Sequence, residues 1–294
     1  MEKLFEHRLL IGASAVSLVI LVGGLIIWGT PETRPDQPNP SALPAAATLP
    51  EEWTSPTSTA TVIPIATGPT LYHYIEVLDG CGPSWQGTCV NMRTGPGVEY
   101  PVHTKLRTGV VLRVADTVSV DGHIWYKIGF TSELRYPERV AGDLFVAADF
   151  VQLFTDVGDK ILPAGISILS NKRIVVDISE QMLYAYDDEE LFMQELISTG
   201  KEFTPTPHGT FIIFKKTPSR YMQGPVPGVS DDAYDLPGVP WDLYFTHGGA
   251  VIHGAYWHDK FGEPWSHGCV NLPLQKAKEL YLWADVGTPV TVQD

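Results

Sequence analysis

Ser266-His267-Gly268-Cys269-Val270-Asn271 is the stretch on which the reading of this chain turns. It holds one of only three cysteines, set among small and polar residues. A cysteine becomes a nucleophile as its thiolate, and a histidine is the usual base that makes one. His253 lies just upstream, in the apolar run Ala250-Val251-Ile252-His253-Gly254, which reads as a strand. Downstream, Leu274, Ala277, Leu280, Tyr281 and Ala284 recur at helical spacing. Pro273 suits the first helical turn, and Gly287 with Pro289 suits the stop. The spacing therefore places Cys269 on a loop leading into a helix, where free backbone amides face developing negative charge.

Composition narrows the surroundings of that loop. The 294 residues allow two modest domains plus accessory segments. A formal charge of −14 at pH 7 argues against nucleic acid and anionic lipid headgroups as partners, and leaves room for a peptide bearing a free amine. The 27 glycines and 24 prolines favour turns and short strands over long helices. Cys81 and Cys89 are close in sequence and Cys269 stands apart. One disulfide and one free thiol in an oxidising compartment is the economical reading, against three unrelated reduced cysteines.

The chain divides by character. Residues 1–8 form a short tail with Lys3 and Arg8, and Leu9 to Trp28 is an uncharged run of 20 residues, long enough to span a bilayer. The charges before it place the N-terminus in the cytoplasm and the remainder outside. A cleaved signal peptide is the competing reading, but no small-x-small site follows the run directly. Residues 29–69 form a linker, with nine prolines between Thr30 and Pro69 among Ser, Thr and Ala, too poor in apolar surface to offset ordering entropy. Residues 70–155 alternate short apolar runs with turn signals such as Asp121-Gly122, the pattern of a small β-barrel. The runs are Tyr72–Val77, Cys89–Met92, Val110–Val114, Ile124–Ile128 and Leu144–Val146. Residues 171–294 are again mainly β. Strands are expected at Arg173–Ile178, Met182–Tyr186, Leu191–Ser198, Thr210–Lys215, Ala250–His253 and Pro289–Val292. Arg220 to Trp241, rich in Gly and Pro, reads as one long loop, a lid or wall over the cysteine.

Two family resemblances follow from these residues. The Ser266–Asn271 string, with Ile252-His253-Gly254 before it, resembles the signature of L,D-transpeptidase catalytic domains, a β-sandwich with one or two short helices. The likeness extends over Val176-Asp177-Ile178-Ser179-Glu180-Gln181, Ser198-Thr199-Gly200-Lys201 and Thr204 to Phe211. The spacer between His253 and Ser266 is short for that family. Val90 to Gly97, with Tyr100-Pro101-Val102 and Trp125 to Ile128, resembles a bacterial SH3-like domain, a wall-binding module or a spacer.

The first resemblance implies a cysteine acyltransferase on peptidoglycan stem peptides that needs no cofactor and no metal. Cys269 would attack, His253 would act as base with its ring fixed by a backbone carbonyl near Gly254, and the N–H groups of His267, Gly268 and Cys269 would meet the oxyanion. Ser266 and Asn271 would hold the loop through side chain-to-backbone bonds. Gly254, Met222 and Tyr244 would line the substrate site. Transfer to an amine would cross-link the wall, and transfer to water would make the same site an L,D-carboxypeptidase. His267 competes as base, but residues two apart on a loop rarely face each other. A zinc site built from His247, His253, His258, His267 and Cys269 is the chemical rival, although no HExxH or paired CxxC spacing is present. A non-catalytic wall-binding protein with a relict site is the other rival. A papain-like arrangement is disfavoured because His253 precedes Cys269.

Overall fold

The computed structural model describes residues 68–130, 134–166 and 170–294. The expected tail, membrane span at 9–28 and nearly all of the linker lie outside the described residues.

The N-terminal part of the described chain has seven strands: β1 (Tyr72–Val77), β2 (Val90–Arg93), β3 (Val102–Leu106), β4 (Val111–Val120), β5 (His123–Ile128), β6 (Phe145–Ala147) and β7 (Val151–Asp156). They form one sheet in the order β3-β2-β6-β5-β4-β1-β7. Asp121 and Gly122 both take positive φ, 50° and 81°, which is what a two-residue turn between twisted antiparallel strands demands. Ile75, Met92, Leu106, Leu112, Ile128 and Val146 come from six different strands yet share one apolar cluster, so the sheet coils around a single core. A β3–β7 ladder is absent among the described residues, so the unit is a coiled sheet with two edges rather than a ring of hydrogen-bonded strands. Cys81 and Cys89 are bridged and Cys269 is free.

The C-terminal part begins with β8 (Lys160–Ile161) and continues through β9 (Lys172–Asp177), β10 (Met182–Asp187), β11 (Glu190–Leu196), β12 (Gly209–Ile212), β13 (Lys215–Gln223), β14 (Asp235–Tyr244), β15 (Val251–Gly254), β16 (Val270–Leu272), helix α1 (Leu274–Trp283) and β17 (Pro289–Gln293). Two five-stranded sheets result, β11-β10-β9-β17-β12 and β16-β15-β14-β13-β8. Val176, Leu183 and Val290 of the first meet Leu243, Ile252 and Val270 of the second in one core, which also receives Ala277, Leu280 and Tyr281 of α1. Side chains alternating inward on each strand are what bury one face of each sheet.

Three expectations are corrected. The single strand expected over Thr210–Lys215 is two, because Ile213 and Phe214 carry the chain from one sheet to the other. The long loop expected over Arg220–Trp241 is largely the β13–β14 hairpin, and only residues 224–234 project from it. Pro237 and Pro240 disguise that strand. They are tolerated because this part of β14 pairs with β13 alone, while β15 joins only at Leu243 and Tyr244. Pro273 caps α1 in extended conformation rather than lying in its first turn. Buried Lys216 donates to the Tyr281 and Ala284 carbonyls at the other end of α1, where a cation complements the helix dipole.

The two parts share a packed seam. Val239 and Tyr256 belong to the same apolar cluster as the N-terminal strands. Gly238 has φ +64°, and a Cβ there would lie 2.4 Å from the Val111 carbonyl, so only glycine lets β14 pass. Ser219 donates to that same carbonyl, and Lys278 of α1 pairs with Glu76 of β1 at 2.6 Å.

The bridge closes a short loop, with a sequence separation of 8. Replacing both Cys81 and Cys89 by serine should cost roughly 2–3 kcal/mol in urea unfolding, and a loss under about 0.5 kcal/mol would contradict the loop-entropy account. Alkylation in denaturant without reductant should label Cys269 alone.

Candidate active site

Two short parallel strands place the chemistry. β15 and β16 pair with Ile252 opposite Val270 and His253 opposite Asn271, and Cys269 immediately precedes β16. Both His253 and Cys269 lie on the wall of a cavity of about 850 Å³. His253 is fully buried and Cys269 is 8% exposed. The Cys269 Sγ lies 3.8 Å from the Gly249 carbonyl oxygen.

The ring of His253 is set by its own chain. Its Nδ1 is 3.1 Å from the Gly254 carbonyl oxygen, an acceptor only, so the proton sits on Nδ1. Nε2 is then an unprotonated acceptor, and it is buried with no hydrogen-bond partner among the described residues. Burial, opposed by the bond to Gly254, lowers the pKa of His253 to about 3. Burial likewise pushes the Cys269 thiol up. The resting pair is therefore a neutral thiol and a neutral imidazole.

The nucleophile loop is fastened from beneath by the segment that follows β11. Ser198 and Asn271 exchange backbone hydrogen bonds, the Thr199 carbonyl accepts from the N–H groups of Trp265 and Ser266, and Lys201 N–H donates to the Ser266 carbonyl. Gln181 in turn holds Thr199, accepting from its N–H at 2.9 Å and donating to its hydroxyl at 2.7 Å. Ser266 spans the turn itself. Its hydroxyl donates to the Cys269 carbonyl and accepts from Gly268 N–H at 3.1 Å. Gly268 N–H is thus occupied, whereas the N–H groups of His267 and Cys269 make no backbone hydrogen bond among the described residues. Gly268 has φ +110°, while a Cβ there would meet its nearest neighbour at 3.6 Å. Glycine is needed there for the backbone angle, not to clear space.

Other placements depart from expectation. Asn271 uses its side chain on His258, at 2.8 Å, rather than on the backbone. His258 Nδ1 accepts from Lys260 N–H, so its Nε2 carries the proton and the Asn271 amide must present oxygen to it. Met222 lines the cavity; Tyr244 and Gly254 do not. Tyr244 packs against Cys269 and Val251 from the side, and Gly254 is wedged among Pro240, Ala277 and Leu274. His267 points to the rim, with Nε2 2.7 Å from Asp232 and its ring stacked on Tyr234. His247 stacks on Phe214. Among the described residues, no three His, Cys, Asp or Glu side chains gather to hold a metal ion.

Arg220 and Asp242 were missed in the sequence. Arg220 lines the cavity, and its charge lowers the pKa of both Cys269 and His253. Asp242 is fully buried, neither carboxylate oxygen has a hydrogen-bond partner among the described residues, and burial holds its pKa well above the carboxylate range. A charged Asp242 would oppose a thiolate at Cys269, and its neutral form does not. A lone acid inside Trp241-Asp242-Leu243-Tyr244-Phe245 was the available signal.

Comparison with known proteins bears on this site. Residues 171–292 match the YkuD family model, the L,D-transpeptidase catalytic domain. Those residues form an L,D-transpeptidase catalytic domain. Domains of this kind are enzymes, and β1–β7 lie outside the match. The chain is 33% identical over 102 residues to probable L,D-transpeptidase 3 of Mycobacterium tuberculosis, covering 33% of this chain and 37% of that protein. It thus spans little more than a third of the curated relative. Among solved structures, an L,D-transpeptidase from Mycobacterium smegmatis is 24% identical, covering 62% of this chain and 98% of the other, at a TM-score of 0.40. The C442S mutant of the Enterococcus faecium L,D-transpeptidase is 29% identical, covering 42% of this chain and 50% of the other, at 0.38.

The buried imidazoles of this L,D-transpeptidase domain make stability pH-dependent. His253 and His258 have folded pKa values of about 3 and about 4, against 6.5 when unexposed to such burial. Below pH 6.5 the unfolded chain takes up protons that the folded chain refuses, so their contribution is intact above 6.5 and is lost as pH falls toward 4 and then 3. Melting temperature measured from pH 7 down to pH 4.5 should therefore fall, and His258→Gln should flatten that fall. An unchanged slope in the variant would contradict burial of a neutral His258.

Proposed function

We propose that this chain is a cysteine-dependent L,D-transpeptidase acting on peptidoglycan stem peptides. The observation that carries the reading is the His253 ring, held by the Gly254 carbonyl with a bare Nε2 in the same cavity wall as the free thiol of Cys269. Such an imidazole is ready to accept a proton, and among the described residues no group, the Cys269 thiol included, occupies Nε2 at rest. The family match over residues 171–292 supplies the reaction class.

The steps follow from these groups. Cys269 passes its thiol proton to His253 Nε2, and the sulfur attacks the carbonyl carbon at the L-centre of a stem tetrapeptide. The oxyanion meets the N–H groups of His267 and Cys269, and Gly268 N–H joins them if Ser266 releases it. The tetrahedral intermediate collapses, His253 returns the proton to the departing amine, and D-alanine leaves. A side-chain amine of a neighbouring stem then attacks the thioester, loses its proton to His253, and frees Cys269. Water in place of that amine gives L,D-carboxypeptidase activity from the same site. Arg135, Lys201 and Arg220 line the cavity of a chain whose net charge is −14, which suits a substrate rich in carboxylates.

A carbapenem should acylate Cys269 through its strained amide and raise the intact mass by one adduct. Cys269→Ser should form none. His253→Ala should be nearly as severe, because an unassisted thiol whose pKa is pushed up by burial is almost wholly protonated at neutral pH. His267→Ala should cost less than the roughly 3–4 kcal/mol of a lost oxyanion donor, since alanine keeps the N–H. Wild-type acylation in His253→Ala with none in His267→Ala would reassign the base. Muropeptide analysis of wall treated with the enzyme distinguishes cross-links from trimmed stems.

We also propose that the apolar run Leu9–Trp28 anchors the chain in the cell membrane with the catalytic domain outside, supported by Lys3 and Arg8 before the run and by the oxidised Cys81–Cys89 pair. Protease added to intact spheroplasts should degrade the C-terminal part. Full protection would reverse the orientation.

A further inference from the structure

The flap at residues 224–234 roofs the cavity, with Val226, Val229, Asp232 and Tyr234 on its inner side. Its exit end reaches the nucleophile loop. Asp232 Oδ2 is 2.7 Å from His267 Nε2, and the Tyr234 ring stacks on that imidazole at 5.9 Å. Within itself the flap is a small turn, closed by hydrogen bonds between Val226 and Ser230 and from Gly224 N–H to the Tyr234 carbonyl.

Both feet of the flap are gripped from outside the catalytic domain. Residues 134–140, inserted between β5 and β6 of the N-terminal sheet, end in a short 3-10 turn at Pro137–Val140. Tyr136 N–H donates to Gln223 Oε1 at 2.9 Å, and Gln223 Nε2 donates back to the Tyr136 carbonyl at 3.1 Å. The Tyr136 hydroxyl donates to the Pro225 carbonyl at 2.9 Å. Arg139 Nη1 bridges the two feet, donating to the Gly224 carbonyl at 2.9 Å and the Tyr234 carbonyl at 3.2 Å. The same nitrogen lies 3.6 Å from Asp235, and the guanidinium lies over the Tyr136 ring at 4.1 Å. Arg135 of the insertion itself lines the cavity.

We infer that the 134–140 insertion is a positioning element of the acyl-transfer site, in which Arg139 and Tyr136 hold the 224–234 flap over Cys269. The inference rests on the proposed acyl-transfer function for its kinetic consequence, though not for the clamp itself. It makes the N-terminal unit a working part of the site rather than a spacer. One guanidinium joins the carbonyls at both ends of the flap, so losing it loosens both feet at once and leaves only the Tyr136 bonds to Gln223 and Pro225 to hold the flap to the insertion. Charge-assisted hydrogen bonds of this kind contribute about 1.5–3 kcal/mol, equivalent to a ten- to hundredfold change in an opening equilibrium.

Hydrogen exchange of the full chain, read by mass spectrometry, tests the clamp without needing activity. In Arg139→Ala, exchange over residues 224–235 should rise by about tenfold or more, with β1–β7 unchanged. The carbapenem concentration that half-saturates acylation should rise by a similar factor, with the limiting rate held within about twofold. Alkylation of Cys269 by iodoacetamide, too small to need the flap, should be as fast as in the parent or faster. If Arg139→Ala unfolds, Tyr136→Phe removes only the hydroxyl bond to Pro225 and should show the same pattern on a smaller scale. Flap exchange that stays unchanged, or that rises equally across β1–β7, would overturn the inference. A parent chain that carbapenems do not acylate would reject the acyl-transfer reading, while the exchange result would still decide the clamp.

Discussion

The hydrogen bond from His253 Nδ1 to the Gly254 carbonyl is the constraint on which the site depends. A neutral imidazole has one proton to place, and an acceptor beside Nδ1 commits it there. Everything that follows at Nε2 is a consequence. The strand supplies the carbonyl from the very next residue, so no carboxylate partner is needed. A charged partner would stabilise the imidazolium and raise its pKa. A carbonyl in a buried setting leaves the ring neutral, and it is held so down to about pH 3.

Neutrality extends around the site. Burial pushes the Cys269 thiol up, and the same cause raises the Asp242 carboxyl well above its usual range. Arg220 is the charge that favours a thiolate. His253 and the Cys269 thiol are thus both neutral at rest beside the cationic Arg220, and the proposed proton transfer between them demands fixed geometry rather than further charge. The supporting loops fit that demand. Gln181, Thr199 and Ser266 fix the nucleophile turn by hydrogen bonds between neutral groups, which add geometry without adding charge.

The gathering of Cys269, His253 and Ser266 at one cavity was legible because their signals are local. All three lie in short strings whose residue types have few other reasons to occur together. The Cys81–Cys89 pairing was legible from spacing, and the strands at Tyr72–Val77 and Met182–Asp187 from their β-branched and aromatic content. What failed was context. Gly238, Pro237 and Pro240 spoke for a loop, and β14 formed because its other neighbour is missing just where the prolines stand. Tyr244 and Gly254 are near Cys269 in the fold yet face away from the cavity, and nothing in a linear pattern states which side of a strand is wet. Arg139 reaches the flap from 85 and 95 residues away in sequence, a contact that no local signal announces.

The central claim is that His253 rests as a neutral ring with its proton on Nδ1. Nitrogen NMR of imidazole-labelled protein, followed from pH 8 down to pH 4, measures this directly. The account predicts one ring, absent from the spectrum of His253→Ala, with Nδ1 protonated, Nε2 bare, and no titration over that range. A proton on Nε2 at neutral pH, or conversion to imidazolium near the ordinary histidine pKa of about 6.5, would contradict it.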